Sequence, residues 1–383
     1  MMNALVLVLL ILGTVDAFQS HISRTKSIAI NSKKNTKEED KESFIDDNLY
    51  YQESNKPASA FILGSQNFLK QSKGILEQFL AEKIGIKNEN YIPPEERPPL
   101  CLGLTLSNQE VKEAEKRREA REGRVEVNAA ARALYDVGCY TLDELFDGRP
   151  IARFWFLETI ARIPYFSYVS MLHLYESFGW WRGIELRKVH NAEEYNELHH
   201  LLIMEALGGN LIWSDRFLGY HIAIAYYWSL CLLFTCSPAA AYEFMELLES
   251  HAVDTYGTFL RENKERLKSL PAPKVAKSYY RSDDLYLFDD FQISKDVGTR
   301  RPPCGNLYDV FKNISEDEAE HVKTMIACQD YARLGKLVVS PHLFESKEVE
   351  KDLDSKRGQW KEWAVSINEM SSYESMESIS EFE

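Results

Sequence analysis

The chain has 383 residues, 45% hydrophobic and 27% charged, enough apolar material for a core of ordinary globular size. With 45 basic against 59 acidic residues its net charge is −14, which argues against a nucleic-acid binder working through a bulk basic field. Cysteines at 101, 139, 231, 236, 304 and 328 form no CxxC pair, so a zinc ribbon and a thioredoxin motif are excluded and reduced thiols are expected.

The first 37 residues read as an address. Ala4–Leu12 (ALVLVLLIL) is an apolar run too short to span a bilayer, and Val15-Asp16-Ala17 offers small or compact residues before a cleavage after Ala17. Residues 18–37 contain no acid but carry Arg24, Lys26, Lys33, Lys34 and Lys37 among six Ser and Thr. A signal peptide (1–17) followed by a transit-like segment (18–37), with Phe18 at the junction, resembles a bipartite plastid presequence; secretion ahead of a basic stretch is the plainer alternative. Residues 38–125 read as a polar extension ending in an exposed helix, Gln109–Val127, rich in i,i+4 charge pairs. Residues 126–335 read as the structured domain, and 336–383 as an acidic tail whose last 20 residues hold five Glu, six Ser and no base.

The structured domain is predicted all-α. Ile151–Phe178 is apolar and aromatic, with a bend expected at Pro164. A helix is predicted over Asn191–Leu207, opened by Asn191 with Glu194 and stopped by Gly208-Gly209. Leu211–Cys236 follows, Pro238 opens a helix to about Glu265, a loop covers 271–304, and a last helix runs from Ser315 to Leu334. Both long apolar stretches contain charges, so neither is expected to span a bilayer. Their Trp155, Trp180, Trp181, Trp213 and Trp228, edged by Arg153, Arg162, Arg182 and Arg216, suit helices lying in one leaflet's interface.

Carboxylates occupy positions that an apolar face should hold. Glu158 lies in FWFLETIA and Glu249 in MELLESHAV, while Glu197 with His200 and Glu318 with His321 form two Glu-x-x-His pairs. Residues three apart share a helix face and can ligate one metal together. One Glu from each of two helices plus Glu-x-x-His from each of two others is the donor set of ferritin-like di-iron bundles. Plainer readings exist for each residue alone: Ser315 and Glu318 as a capping box, His200 as a core histidine, Glu158 paired with Arg162. The combination on four helices favours the dimetal reading.

Four motifs, LETIARIPYFSYVSMLHLYESFGWWR, NELHHLLIMEALGG, LESHAVDTY and DEAEHVKTMIACQD, resemble in this order the alternative oxidase family, with DLYLFDDFQISKDVGTRRP (284–302) similar to an insertion of its plastid terminal oxidase branch. The resemblance covers about 130–335. It implies a ferritin-like four-helix bundle with additional helices, attached to one leaflet as a homodimer, oxidising plastoquinol and reducing O2 to water. With no spanning proton channel expected from the sequence, no charge movement across the membrane is predicted. The resemblance makes Glu158, Glu197, His200, Glu249, Glu318 and His321 ligands of two iron ions, and gives Tyr256 a redox or hydrogen-bonding role. It places Asn196 and Asp317 behind the ligands, and Arg153, Leu157, Leu248 and Thr255 at a quinone pocket. For Arg153 the membrane surface is an equal alternative. It also implies a thylakoid location on the stromal side. Leu198, Asp254 and Phe234 depart from the family's usual Met, Glu and Tyr; none is a ligand. A quinone-ring hydroxylase, a desaturase and a non-enzymatic iron-binding bundle remain as rivals.

Overall fold

The computed structural model describes residues 59–87, 102–281 and 302–335, which fall into two compact units, 1–97 and 98–383. The presequence, residues 284–301 of the insertion-like segment and the acidic tail lie outside the described residues.

In the first unit, Ser59 caps helix α1 (Ala60–Phe79), which continues as a π-turn, Leu80–Ile84, and stops at Gly85 with φ +80°. The sequence reading had no helix here. Phe61, Phe68 and Ile75 recur every seven residues, a spacing diluted by the polar residues between them.

The second unit is helical. Ser107 caps α2 (Asn108–Glu122), and Asn128 caps α3 (Ala129–Leu145). The stretch expected to bend at Pro164 is instead broken into α4 (Pro150–Ala161) and α5 (Ile163–Ser177) at Arg162. Proline has no amide hydrogen to continue the ladder, and Arg162 turns outward to Glu194 at 2.9 Å, not to Glu158. Helix α6 (Ile184–Ala206) begins seven residues before Asn191, which therefore caps nothing. Helices α7 (Trp213–Cys236), α8 (Pro238–Ser269, capped by Ser237), α9 (Lys274–Arg281) and α10 (Leu307–Leu334) complete the unit. Asn306 caps α10, so Ser315 lies inside it and the capping-box reading of Glu318 falls.

Helix α8 packs along α10, α4 packs along α6, and α6 also meets α10, so these four form the bundle. Helices α5 and α7 pack on each other beside it; α7 also meets α4, and α5 meets α6. Gly209 sets one of these approaches: a Cβ there would lie 2.6 Å from Trp155 Cβ and 2.8 Å from the Ile151 carbonyl oxygen. The core is aromatic. Tyr165, Tyr168, Phe234 and Tyr242 fill one end, while Phe154 stacks on Tyr256 at 4.3 Å beside Phe259 and Phe311.

Three further sequence expectations need correction. Helix α9 lies inside the stretch 271–304 expected to be a loop. Helix α2 is not solvated all round: Val111, Ala114 and Arg118 are buried, and it packs on α8. Residues 217–236 of α7 carry no Asp, Glu, Lys or Arg, so this helix is long and apolar enough to cross a bilayer by length and composition. The charges that argued otherwise, Asp215 and Arg216, sit in its first turn.

Candidate metal centre

Each bundle helix delivers its carboxylate inward. Glu158 on α4, Glu197 with His200 on α6, Glu249 on α8 and Glu318 with His321 on α10 are all at most 2% exposed. They assemble into two groups: Glu158, Glu197, His200 and Glu318, and Glu197, Glu249, Glu318 and His321, with donor atoms within 4.8 Å of one another in each group. Glu197 and Glu318 belong to both.

The geometry of these shared carboxylates is specific. Glu197 places Oε2 3.8 Å from His200 Nδ1 and Oε1 2.9 Å from His321 Nδ1. Glu318 does likewise, with Oε1 3.0 Å from His200 Nδ1 and Oε2 3.6 Å from His321 Nδ1. Each carboxylate thus turns one oxygen to each histidine, the arrangement of a bridge between two ions. Glu158 Oε2 stands 3.7 Å from His200 Nδ1, and Glu249 Oε1 3.7 Å from His321 Nδ1, as terminal donors do.

The donor set fits a pair of dications. Glu158 Oε2, Glu197 Oε2, His200 Nδ1 and Glu318 Oε1 are buried without a well-formed hydrogen bond among the described residues, an expensive state unless a cation joins them. Four carboxylates balance two doubly charged ions, and a mixed oxygen and imidazole set suits iron. Burial, then the neighbouring charges of Glu197 and Glu318, holds Glu158 well above the usual carboxylate range; burial and the charge of Glu318 do the same for Glu249. Burial opposes charge on His200, but the carboxylates of Asp317, Glu197 and Glu318 close around it outweigh that and raise the imidazole well above its usual value. The protein alone offsets the cluster with protons, which metal ions displace.

A second layer orients the ligands. Asp317 Oδ2 receives Tyr280 Oη at 2.9 Å and Asn196 Nδ2 at 3.1 Å, and lies 3.2 Å from His200 Nε2. With the His200 proton on Nε2, Asp317 accepts it and the Nδ1 lone pair faces the carboxylates. Asn196 also donates to Tyr279 Oη at 2.6 Å. Tyr256 is 1% exposed and its hydroxyl donates to Glu158 Oε1. The sequence reading missed Tyr165, whose hydroxyl donates to Glu249 Oε1 at 2.7 Å across 84 positions of chain, and the Tyr279 and Tyr280 contacts. No local pattern announces such partners.

The quinone-pocket candidates are less concentrated. Arg153 is 1% exposed and pairs with Asp143 Oδ1 at 2.9 Å and Asn108 Oδ1 at 2.6 Å, which overturns its membrane-surface alternative. Thr255 donates to the His251 carbonyl, while Leu157 and Leu248 are half-buried. Near them the sequence reading passed over His251, whose Nδ1 lies 3.1 Å from Tyr135 Oη. Burial and then the Arg153 charge lower its imidazole to about 3, so it is neutral at physiological pH. The five described cysteines, 139, 231, 236, 304 and 328, form no disulfide with one another.

A helical bundle whose buried carboxylates and histidines form two groups bridged by shared glutamates defines a dimetal-carboxylate protein. Residues 106–330 match the alternative oxidase family, and the chain belongs to that family, whose members are di-iron proteins. Ubiquinol oxidase 4, chloroplastic/chromoplastic, of Arabidopsis thaliana is 56% identical over 212 residues, covering 55% of this chain and 59% of the relative. Ubiquinol oxidase 1, mitochondrial, of Nicotiana tabacum is 26% identical over 188 residues, covering 48% of this chain and 46% of the relative. Ubiquinol oxidase, mitochondrial, of Mangifera indica is 28% identical over 186 residues, covering 47% and 50%. The matched regions thus span between about half and three fifths of these relatives.

Proposed function

We propose that the protein is a plastoquinol:oxygen oxidoreductase with two iron ions held by Glu158, Glu197, His200, Glu249, Glu318 and His321. The observation that carries this reading is the pair of donor groups sharing Glu197 and Glu318, in a chain of the alternative oxidase family. An iron pair, when bound, supplies the redox chemistry that couples quinol oxidation to dioxygen reduction. Two quinols give four electrons and four protons, which balance one O2 and two waters.

The protein residues do the rest. Glu197 and Glu318, which belong to both donor groups, would hold both ions, and Asp317 with Asn196 would keep His200 oriented toward them. Tyr256, hydrogen-bonded to Glu158 and shielded by Phe154, is placed to pass a proton or an electron without water access. Arg153, Leu157, Leu248 and Thr255 are assigned to quinol binding; Arg153 keeps Nε and Nη2 without hydrogen bonds among the described residues and so has donors to offer.

The substrate dissolves in lipid, so a leaflet must be reachable. Phe217, Tyr220, Ile224, Trp228 and Leu232 form an exposed stripe along α7 at three- and four-residue steps. Asp215, in the first turn of α7, is tied to Arg149 at 2.7 Å, and the helix packs on α4, α5 and α8. That anchoring supports a helix lying in the interface over one crossing it; the homodimer is carried by the resemblance alone. A plastid location agrees with the chloroplastic/chromoplastic name of the Arabidopsis relative; the stromal side of the thylakoid and import through the bipartite presequence are part of the proposal.

The test is oxygen uptake by iron-loaded protein with a plastoquinol analogue. Uptake that yields only quinone and water and disappears in Glu318→Ala supports the oxidase. Oxygen found in the organic product favours a hydroxylase, and bound iron without uptake favours storage. A membrane potential generated in liposomes during turnover would overturn the non-electrogenic part.

A further inference from the structure

Helix α1 supplies no residue to the dimetal centre, yet it is built with one apolar side. Phe61, Phe68, Ile75 and Phe79 fall on that side at seven- and four-residue steps, with Leu69 and Leu76 beside them. Gln66, Lys70, Lys73 and Glu77 hold the opposite side. Phe61, Phe68 and Phe79 are 89%, 62% and 52% exposed, the reverse of what a core helix shows, and so large an apolar face marks a contact. Ser65 lies among the phenylalanines. Its hydroxyl donates to the Phe61 carbonyl at 2.7 Å, so an apolar medium over this face leaves that donor satisfied.

Two observations bear on what covers this face. A partner helix needs two apolar positions in every heptad. With the Phe61, Phe68 and Ile75 row as one of them, the other falls on Gly64 and Gln71, or on Ser65 and Ser72, so no coiled-coil seam exists. A leaflet makes no such demand: it takes a broad apolar face with basic residues on the polar side. The charge agrees. Residues 59–87 hold four Lys and two Glu, a net charge of +2 in a chain whose total is −14. The Lys73 to Glu77 pair, 3.7 Å apart with both ends exposed, offsets little of it. We infer that α1 lies in the interface of an anionic lipid leaflet, its phenylalanines among the acyl chains and Lys70 and Lys73 toward the headgroup phosphates. This lipid contact is separate from that of α7 and rests neither on it nor on the oxidase reading.

The test is photolabelling from within the bilayer. The full chain is mixed with phosphatidylcholine vesicles that contain phosphatidylglycerol and a lipid with a photoreactive acyl chain, then illuminated, digested and mapped. Crosslinks are expected on peptides from 60–79, and are expected to fall about tenfold or more in Phe68→Glu. Lys70→Gln with Lys73→Gln keeps the apolar face and the helix propensity, and is expected to lower them about tenfold, as is omission of phosphatidylglycerol. Unlabelled 60–79 peptides would overturn the inference, whether or not α7 is labelled, and so would labelling that none of these changes reduces. Loss in Phe68→Glu alone would overturn its anionic part. Crosslinks from α1 to a second copy of the chain, formed by a bifunctional reagent without lipid, would give the face to that copy instead. Peptides of α7 are read in the same digest, so a label missing there counts against α7 alone. Quinol oxidation does not enter the readout.

Discussion

Arg118 and Asp254, 136 positions apart, form an ion pair at 2.9 Å with both side chains no more than 10% exposed. The contact joins α2, which reads as a solvent helix, to the ligand-bearing α8. Burial outweighs the arginine's pull, so the Asp254 carboxyl titrates above its usual value despite the pair. Removing one partner strands a buried charge. Arg118→Ala is expected to cost about 3 to 5 kcal/mol in urea unfolding. The double replacement Arg118→Leu with Asp254→Leu is expected to recover most of that loss. Equal losses in single and double variants would refute this account.

The shared ligands separate two kinds of variant. Glu197→Ala or Glu318→Ala disrupts both donor groups, so each is expected to abolish binding of both ions. His200→Ala and His321→Ala each touch one group and are expected to retain up to one ion per chain. Elemental analysis after equilibration with Fe(II) distinguishes the two classes.

Buried thiols give a pH-dependent signature. Burial pushes the Cys139 thiol up to about 12 and the Cys304 thiol up to about 11, whereas Cys236 is exposed. Only the thiolate reacts with iodoacetamide, so at pH 8 labelling among the described cysteines is expected first at Cys236. The unfolded chain loses its thiol protons near pH 9 while the folded chain keeps them, so folding stability contributed by these groups is intact below 9. It falls as pH rises from 9 through 12. Peptide mapping of the labelled native protein reads the first outcome, and urea midpoints across pH 8 to 11 the second.

If α7 lies on a leaflet, charge placed on its exposed stripe should release the protein. Trp228→Glu, at a position 67% exposed, leaves the core untouched and is expected to lower binding to lipid vesicles about tenfold or more. Cosedimentation with vesicles measures it; unchanged binding would remove α7 from the membrane contact.

The buried cluster was legible because charge in an apolar helix is conspicuous: Glu158 among FWFLETIA needs a reason to be there. Helix boundaries were not. Asn191 with Glu194 and Ser315 with Glu318 both have the spacing of caps, but Glu194 serves Arg162 and Glu318 faces the centre. The same chemistry that satisfies a helix end can satisfy a distant partner, and only the fold decides between them. The Tyr165 to Glu249 bond was invisible for a related reason. It joins helices whose relative placement no local spacing encodes. The charge-free run in α7 was legible and was obscured by counting the charges of its first turn.

At Gly209 a hydrogen atom stands where any other residue would place carbon against Trp155 and the backbone of α4. The gap between the helix bearing Glu158 and the helix bearing Glu197 is therefore gauged by a residue that binds nothing. A methyl group at position 209 would push the turn after α6 and Trp155 of α4 apart, so the seam between these two helices would be respaced by a residue outside the carboxylate and histidine cluster.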